Sequence, residues 1–136
     1  MSLLPNKGLL AIAAVIDVAL HARGQPVAAK ALASRHRLPA RHLEPVLQAL
    51  VRQGVLKGIR GPRGGYELAR EPHLITAHDI LRAIGTNEEA GDVPAATSAL
   101  LAHVVVPALA QAEVVFSSAL GHINIGDLVV AAEQLK

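Results

Sequence analysis

The first half of the chain distributes apolar and polar residues at the spacing of amphipathic helices. One apolar stretch predicts a first helix over about residues 7–21, apolar on two sides as if it were buried from two directions. Gly24 breaks this helix, and Pro26 is well placed as the first residue of a second helix that runs to about His36. Pro39 is in turn a good first residue for a third helix, which Gly54 ends.

The third predicted helix has the clearest pattern. Its apolar residues follow the spacing i, i+3, i+4, i+7, i+8 and therefore share one face; they are Leu43, Val46, Leu47, Leu50 and Val51. The opposite face is polar and carries Arg41, Glu44, Gln48 and Arg52. We therefore expect a helix that packs on one side and is free to contact a partner on the other.

After the third helix the pattern changes to short, strand-like segments. VLKGIR and GYELAR flank GPRG, whose glycines and proline are typical of a tight turn, and together they predict a β-hairpin, or wing. Thr76 and Asp79 have the spacing of a capping box that opens a fourth helix. Three helices followed by a hairpin indicate a winged helix-turn-helix domain, so the fold class is mainly α.

The C-terminal part begins with a predicted linker from Gly85 to Pro94. Beyond it, six apolar residues separated by 4, 3, 4, 3 and 4 positions form a heptad-like seam on one long helix, which predicts a dimer interface. These residues are Leu101, Val105, Ala108, Ala112, Val115 and Ala119. Pro107 should bend this helix because it removes a backbone hydrogen bond. Gly121 should end it, and a short last helix is expected from Ile125 to Leu135.

Composition restricts the chemistry that this chain can perform. Its 136 residues are 51% hydrophobic but include one Tyr, one Phe and no Trp, which favours aliphatic side chains packed between helices. The absence of cysteine excludes disulfides, thiolate nucleophiles and Cys-ligated zinc or iron–sulfur sites. The seven histidines show no metal-ligand spacing, and no Ser/His/Asp group or carboxylate pair falls in a plausible cleft. We therefore expect neither a cofactor nor an enzyme.

Charge is divided unevenly along the chain. Residues 1–85 hold twelve Lys and Arg against five Asp and Glu, whereas residues 86–136 hold one Lys against six Asp and Glu. A basic module joined to an acidic one indicates a nucleic-acid partner, although ordinary solvated surface charge would give the same count. We therefore divide the chain into a DNA-binding domain over residues 1–85 and a linker, dimerisation helix and last helix over residues 86–136.

One stretch in the C-terminal part has the length of a membrane span. Residues 93–112 carry no formal charge over 20 positions, but they include two prolines and several polar residues and lack flanking aromatic residues. These features favour a buried oligomer helix over a membrane helix. No export signal is evident near the N-terminus, because Asp17 interrupts the apolar run there. We expect a cytoplasmic protein without a membrane partner.

The sharpest local motif is RGPRGGY, residues 60–66. Its proline and glycines, Gly64 and Gly65 among them, define a thin hairpin tip that carries Arg60 and Arg63. Such a tip can enter a DNA minor groove, where the negative potential favours arginine. A plain β-turn with incidental arginines is the alternative, and the preceding helix-turn-helix pattern favours DNA binding.

The run LPARHLEPVLQALVRQGVLKGIRGPRGGYELA resembles the signature of the Rrf2 family of bacterial transcription regulators. The closing INIGDLV is similar to the start of that family's last helix. The resemblance implies a homodimer formed through the long fifth helix, with the third helix in the major groove of double-stranded DNA and the wing in the minor groove. It further implies that Arg41, His42 and Glu44 lie in the base-contacting stretch and that Arg60 is the minor-groove arginine. We expect Lys57 and Arg63 to contact phosphates.

The chain departs from the family pattern in three places. Pro45 stands inside the third helix, where it should disturb the helix after its first turns. Pro107 interrupts a helix that is usually continuous in relatives. The three cysteines of cluster-bearing relatives are absent, and His103, which aligns with a histidine ligand in some of them, cannot hold a cluster alone.

The sequence thus predicts a sequence-specific DNA-binding regulator of transcription, expected to act as a repressor. The alternative is a winged-helix protein-interaction module that does not bind DNA, and the cationic residues of the wing argue against it. An effector molecule or a protein partner stays open.

Overall fold

The computed structural model describes residues 6–22, 24–84 and 98–135. Within these ranges the elements follow one another as α1 (Asn6–His21), α2 (Ala29–Arg35), α3 (Ala40–Arg52), β1 (Leu56–Ile59), β2 (Gly65–Leu68), a 3₁₀ turn (Pro72–Leu74), α4 (Ala77–Ile84), a π-helical segment (Leu101–Val105), α5 (Val106–Gly121) and α6 (Ile125–Glu133). The mainly helical winged-helix prediction is therefore confirmed. The predicted linker and the boundary between the two predicted domains lie outside the described residues.

Helix α1 is the centre of the core. Ala11, Ala14, Val15 and Val18 are buried, and the helix contacts α2, α3, α4, α6 and β2. Burial on more than one side explains why its apolar residues spread around the helix rather than forming a single stripe. Opposite it, α3 buries the face that its periodicity predicts, including Leu43, Val46, Leu47 and Leu50.

The second helix is shorter than predicted, because Pro26 does not begin it. Val27 instead pairs with Tyr66 in an antiparallel bridge, in which each backbone N–H donates to the other's carbonyl oxygen over 2.8 Å. Helix α2 then begins at Ala29. A β-branched residue such as Val27 suits a strand, and the wing supplies the pairing partner, which local sequence does not reveal.

The wing is the predicted antiparallel hairpin. Its register pairs Leu56 with Leu68 and Lys57 with Glu67, and at the tip the Gly64 N–H donates to the Gly61 carbonyl over 2.9 Å. Leu56 is fully buried, which anchors the base of the wing in the core while its tip projects into solvent.

The last helix joins the N-terminal core. Ile125 is fully buried there, and its N–H donates to the Ile75 carbonyl over 2.8 Å. The Ala77 N–H in turn donates to the Ile123 carbonyl over 2.8 Å, next to the capping box. That capping box forms as predicted, with Thr76 and Asp79 exchanging two hydrogen bonds of 3.1 Å. Helix α6 is thus fixed to the start of α4.

Helix α5 differs from a regular helix at Pro107. The preceding segment, Leu101–Val105, is π-helical, and such a turn absorbs an extra residue without ending the helix. The helix ends at Gly121, as predicted. By length and mean hydropathy (1.6) the stretch Leu101–Gly121 could cross a membrane, a test that helices of soluble proteins also pass.

Candidate nucleic-acid interface

Helices α2 and α3 form the helix-turn-helix, with α3 presenting its polar side to solvent. The turn between them places Arg37 in the left-handed region, at φ 56°, and the Leu38 N–H donates to the Ala33 carbonyl over 2.9 Å. Arg41, His42 and Glu44 are all exposed on α3. The three residues predicted to contact bases therefore lie together on the first turns of the helix, and its apolar side fixes their orientation.

Pro45 does not interrupt α3, contrary to the expectation that it would disturb the helix. The helix runs unbroken from Ala40 to Arg52, and Pro45 is exposed. A proline in a helix removes one N–H donor, here the one that the Arg41 carbonyl would accept from. Because both residues are exposed, water can replace that hydrogen bond, and the fixed φ of the ring is compatible with the helix.

The wing carries the remaining predicted cations. Arg60 and Arg63 are exposed at its tip. Lys57 lies on β1 opposite Glu67, with Lys57 Nζ 3.2 Å from Glu67 Oε1. Glu67 was not predicted as a site residue, although the pairing of opposite residues in a hairpin places it beside Lys57. The charge that Lys57 offers to a phosphate is therefore partly compensated.

The backbone packing of the wing requires glycine at both predicted positions, Gly64 and Gly65. A Cβ on Gly64 would meet the Ile59 carbonyl oxygen, and one on Gly65 would meet the Val27 carbonyl oxygen. Gly65 also has a φ of +157°. These glycines keep the hairpin thin and allow Val27 to pair beside it.

A groove of about 430 Å³ separates α3 from the wing. Gln48 and Val51 line its helix side, and Arg60 and Tyr66 line its wing side. The groove lies between the two elements that the sequence assigns to the major and minor grooves of DNA.

One buried carboxylate positions the helix-turn-helix and was missed as a functional residue in the sequence. Asp17 on α1 is 6% exposed and accepts hydrogen bonds from Arg35 at its two oxygens, from Nη2 over 2.6 Å and from Nε over 3.0 Å. His36 Nε2 lies 3.1 Å from Asp17 Oδ2, and His21 Nδ1 lies 3.2 Å from Oδ1. The sequence signal was a lone acid within an apolar helix, which usually requires a partner.

Electrostatics favour the charged form of Asp17. Burial raises the pKa of its carboxyl group, but the hydrogen bonds and charge of Arg35, with contributions from His21 and His36, outweigh burial and lower that pKa. The same contact raises the pKa of Arg35. This ion pair ties α1 to the last turn of α2, directly before the turn that leads into α3.

The predicted dimer seam lies mostly on the surface of the single chain. Ala108, Ala112, Val115 and Ala119 are exposed, Val115 by 69%, whereas Leu101 and Val105 are half-buried. Leu101 and Val105 are also the two ends of the π-helical segment, so they are not at α-helical spacing. A neighbouring face of α5, with Phe116 and Leu120, packs on α4 through Ala77 and Leu81.

Comparison with known proteins places this geometry in a family. A family model described as Rrf2, an iron-dependent transcriptional regulator, matches residues 4–131. The chain is 30% identical to the HTH-type transcriptional regulator IscR of Vibrio parahaemolyticus over 98% of its own length and 80% of that protein. It spans about half the length of several other curated relatives, such as 52% of the IscR of Vibrio campbellii at 32% identity.

Solved structures of two regulators have the same fold as this chain. The IscR of T. potens superposes with a TM-score of 0.76 at 29% identity, covering 98% of this chain and 90% of that one. The cysteine regulator CymR of B. subtilis superposes with a TM-score of 0.72 at 25% identity, covering 96% and 98%. These relatives are regulators rather than enzymes, in agreement with the expectation that the chain is not an enzyme.

The iron dependence in the family description does not fit the residues of this chain. Iron–sulfur clusters are held by thiolates, and the chain has no cysteine. Among the residues that the structure describes, no group of three or more His, Cys, Asp or Glu side chains could hold a metal ion. His103, exposed in the π-helical segment, is a single imidazole.

The matched model covers nearly all of the sequence, and the relatives share both its motifs and its winged-helix architecture. The chain therefore belongs to the Rrf2 family of helix-turn-helix transcriptional regulators.

Proposed function

We propose that this protein binds specific duplex DNA as a homodimer and represses transcription in the cytoplasm. The observation that carries the proposal is the pairing of an exposed polar face on α3 with two exposed arginines at the wing tip, on one basic module. Helix-turn-helix proteins read bases with such a helix, and phosphate contacts anchor it.

Each cation has a distinct role in this proposal. Arg41 and His42 face base edges in the major groove, and Arg60 enters the minor groove. Arg63 and Lys57 contact phosphates, which set affinity and its salt dependence rather than specificity. Glu44, the acidic residue of α3, accepts from a cytosine amino group or repels phosphate at wrong sites.

The homodimer forms through α5. Its exposed alanines allow close helix approach, and a face carrying residues such as Val115 is too apolar to leave in water. Sedimentation should give about 28 kDa, twice the 14.2 kDa of one chain. Ala112→Glu should shift the protein to the monomer, whereas Ala110→Glu, on the opposite side of the helix, should leave the dimer intact. Equal masses for the two variants would contradict this interface.

DNA binding in this proposal needs no iron–sulfur cluster. Anaerobically purified protein should be colourless and lack stoichiometric iron, and its DNA affinity should not respond to oxygen or nitric oxide. Substantial iron in such a preparation would contradict this and would point to a site made of histidines and carboxylates in place of thiolates.

The central experiment selects bound sequences from random duplex DNA and compares two arginine variants. Arg63→Ala should weaken selected and random DNA alike and reduce the log–log salt slope by about one unit. Arg41→Ala should cost about 1–3 kcal/mol on the selected site and much less on random DNA. Arg82→Ala, on α4, is the charge-matched control and should keep the wild-type salt slope and sequence preference.

Repression is tested by transcription in vitro from a promoter that overlaps the selected site. Transcript should decrease on adding protein, and an increase would indicate an activator. If no sequence is enriched, and neither Arg41→Ala nor Arg63→Ala changes duplex binding, the protein-interaction alternative is favoured instead.

A further inference from the structure

The polar exposed face of α3 has one apolar position, Pro45. Its outward residues recur at Arg41, Glu44, Pro45 and Gln48, and Pro45 is the member of this stripe without a hydrogen-bonding side chain. Pro45 also has no N–H to offer. A helix that reads bases by polar contacts thus places a rigid hydrocarbon ring on its first turns, next to the residues proposed to contact base edges.

The ring of Pro45 forms part of a recess between α3 and α1. The recess has a volume of about 340 Å³, and its apolar walls are provided by Pro45 and by Leu10 of α1. Leu10 is half-buried and packs against the core, so its position is fixed. Four polar residues complete the lining: Asn6, Lys7, Arg41 and His42. The recess is therefore an apolar depression flanked by cations.

We propose that this recess receives the C5-methyl group of a thymine in each half-site of the bound DNA, an inference that rests on the proposed function. The thymine methyl is the apolar group that a base pair displays in the major groove. The flanking charges of Lys7 and Arg41 suit the phosphates and acceptor atoms that surround that methyl group in a duplex.

The recess also disfavours cytosine and adenine. The amino group of cytosine or adenine facing Pro45 and Leu10 would lose its hydrogen bond to water without gaining a partner. Because the proline ring is already fixed, it loses little side-chain entropy when it packs against a base. The pair Pro45 and Leu10 therefore determines specificity at one position, and α1 contributes to base readout.

The test removes single methyl groups from the DNA. In the site selected by the wild-type protein, each thymine is replaced in turn by uracil, which lacks only the C5-methyl. At one thymine in each half-site, wild-type affinity should fall about fourfold, the factor that corresponds to about 0.8 kcal/mol per buried CH₂ group. Replacing both symmetry-related thymines should cost about sixteenfold if the two half-sites act independently.

The Pro45→Ser variant should bind thymine and uracil sites with equal affinity, because serine presents a hydroxyl group in place of the ring. It restores a helical N–H, so a helical circular dichroism spectrum and a melting temperature no lower than that of the wild type check that α3 is intact. Pro72→Ser, in the 3₁₀ turn outside α3 and the wing, is the matched control and should keep the methyl preference.

The outcomes separate this inference from the proposed function. If specific sites are selected but no uracil replacement weakens binding, or if Pro45→Ser keeps the full methyl preference, the recess does not read thymine and specific DNA binding still stands. If no sequence is enriched at all, the proposed sequence-specific DNA binding is wrong, and the thymine inference, which rests on it, is wrong as well.

Discussion

Asp17→Asn tests whether the buried ion pair holds the helix-turn-helix in place. The substitution keeps the shape of the side chain but removes its charge and replaces one acceptor oxygen with an NH₂ donor. Arg35 donates to both carboxylate oxygens, from Nη2 over 2.6 Å and from Nε over 3.0 Å. In the variant, one of these donors faces the new NH₂ donor, and the partly exposed Arg35 guanidinium loses its counter-charge.

The magnitude follows from the burial of the two partners. Removing one member of a buried ion pair typically costs about 3–5 kcal/mol. Asp17 is 7% exposed at its side chain, but Arg35 is 37% exposed and can recover part of its hydration. We therefore expect the lower end of the range, about 3 kcal/mol, which corresponds to a fall in melting temperature of about 10 °C for a chain of this size.

Thermal unfolding at one fixed protein concentration measures this change, since the proposed dimerisation would make the melting temperature depend on concentration. The matched control is Asp127→Asn on α6, where the side chain is 71% exposed. The control should lower the melting temperature by a few degrees at most. If Asp17→Asn and Asp127→Asn have the same melting temperature, Asp17 does not hold α1 against α2.

The effect of Asp17→Asn on stability should depend on pH. Because the pKa of Asp17 is lowered in the folded protein, its stabilisation is complete above the carboxyl pKa of the unfolded chain and is lost as pH falls through the folded value. The difference in stability between wild type and Asp17→Asn should therefore shrink as the pH falls through the acid range. A difference that grows in acid would contradict the reasoning.

Two further substitutions test the wing. Glu67→Gln should strengthen duplex binding about two- to fivefold at low salt, because it frees Lys57 from an exposed ion pair. Mobility-shift titrations measure this, and unchanged affinity would place Lys57 outside the interface. Gly65→Ala should lower the free energy of unfolding by more than about 1 kcal/mol, because the added Cβ meets the Val27 carbonyl. Gly121→Ala, with nothing within 4 Å, is its control, and equal effects in denaturant unfolding would refute this role for Gly65.

The elements of this fold could be predicted from the sequence because their signals are local. The stripe of α3 repeats within two turns, the hairpin is marked by its glycines and proline, and the capping box of α4 lies within four residues. The predicted base-contacting residues were likewise found together, since they share one helix face. Side-chain spacing along one element fixes such faces before any packing is known.

Contacts between distant residues were decided by the tertiary structure alone. Asp17 and Arg35 are 18 positions apart, Val27 pairs with Tyr66 across the domain, and Leu10 and Pro45 line one recess from different helices. Local propensity even misplaced the start of α2 and predicted a disturbance at Pro45, which α3 accommodates on its exposed side. Periodicity along one element predicts which residues face inward. It does not predict which residue pairs with a buried charge, which segment pairs with a strand, or which side chains line a recess, because these depend on how the helices pack against each other.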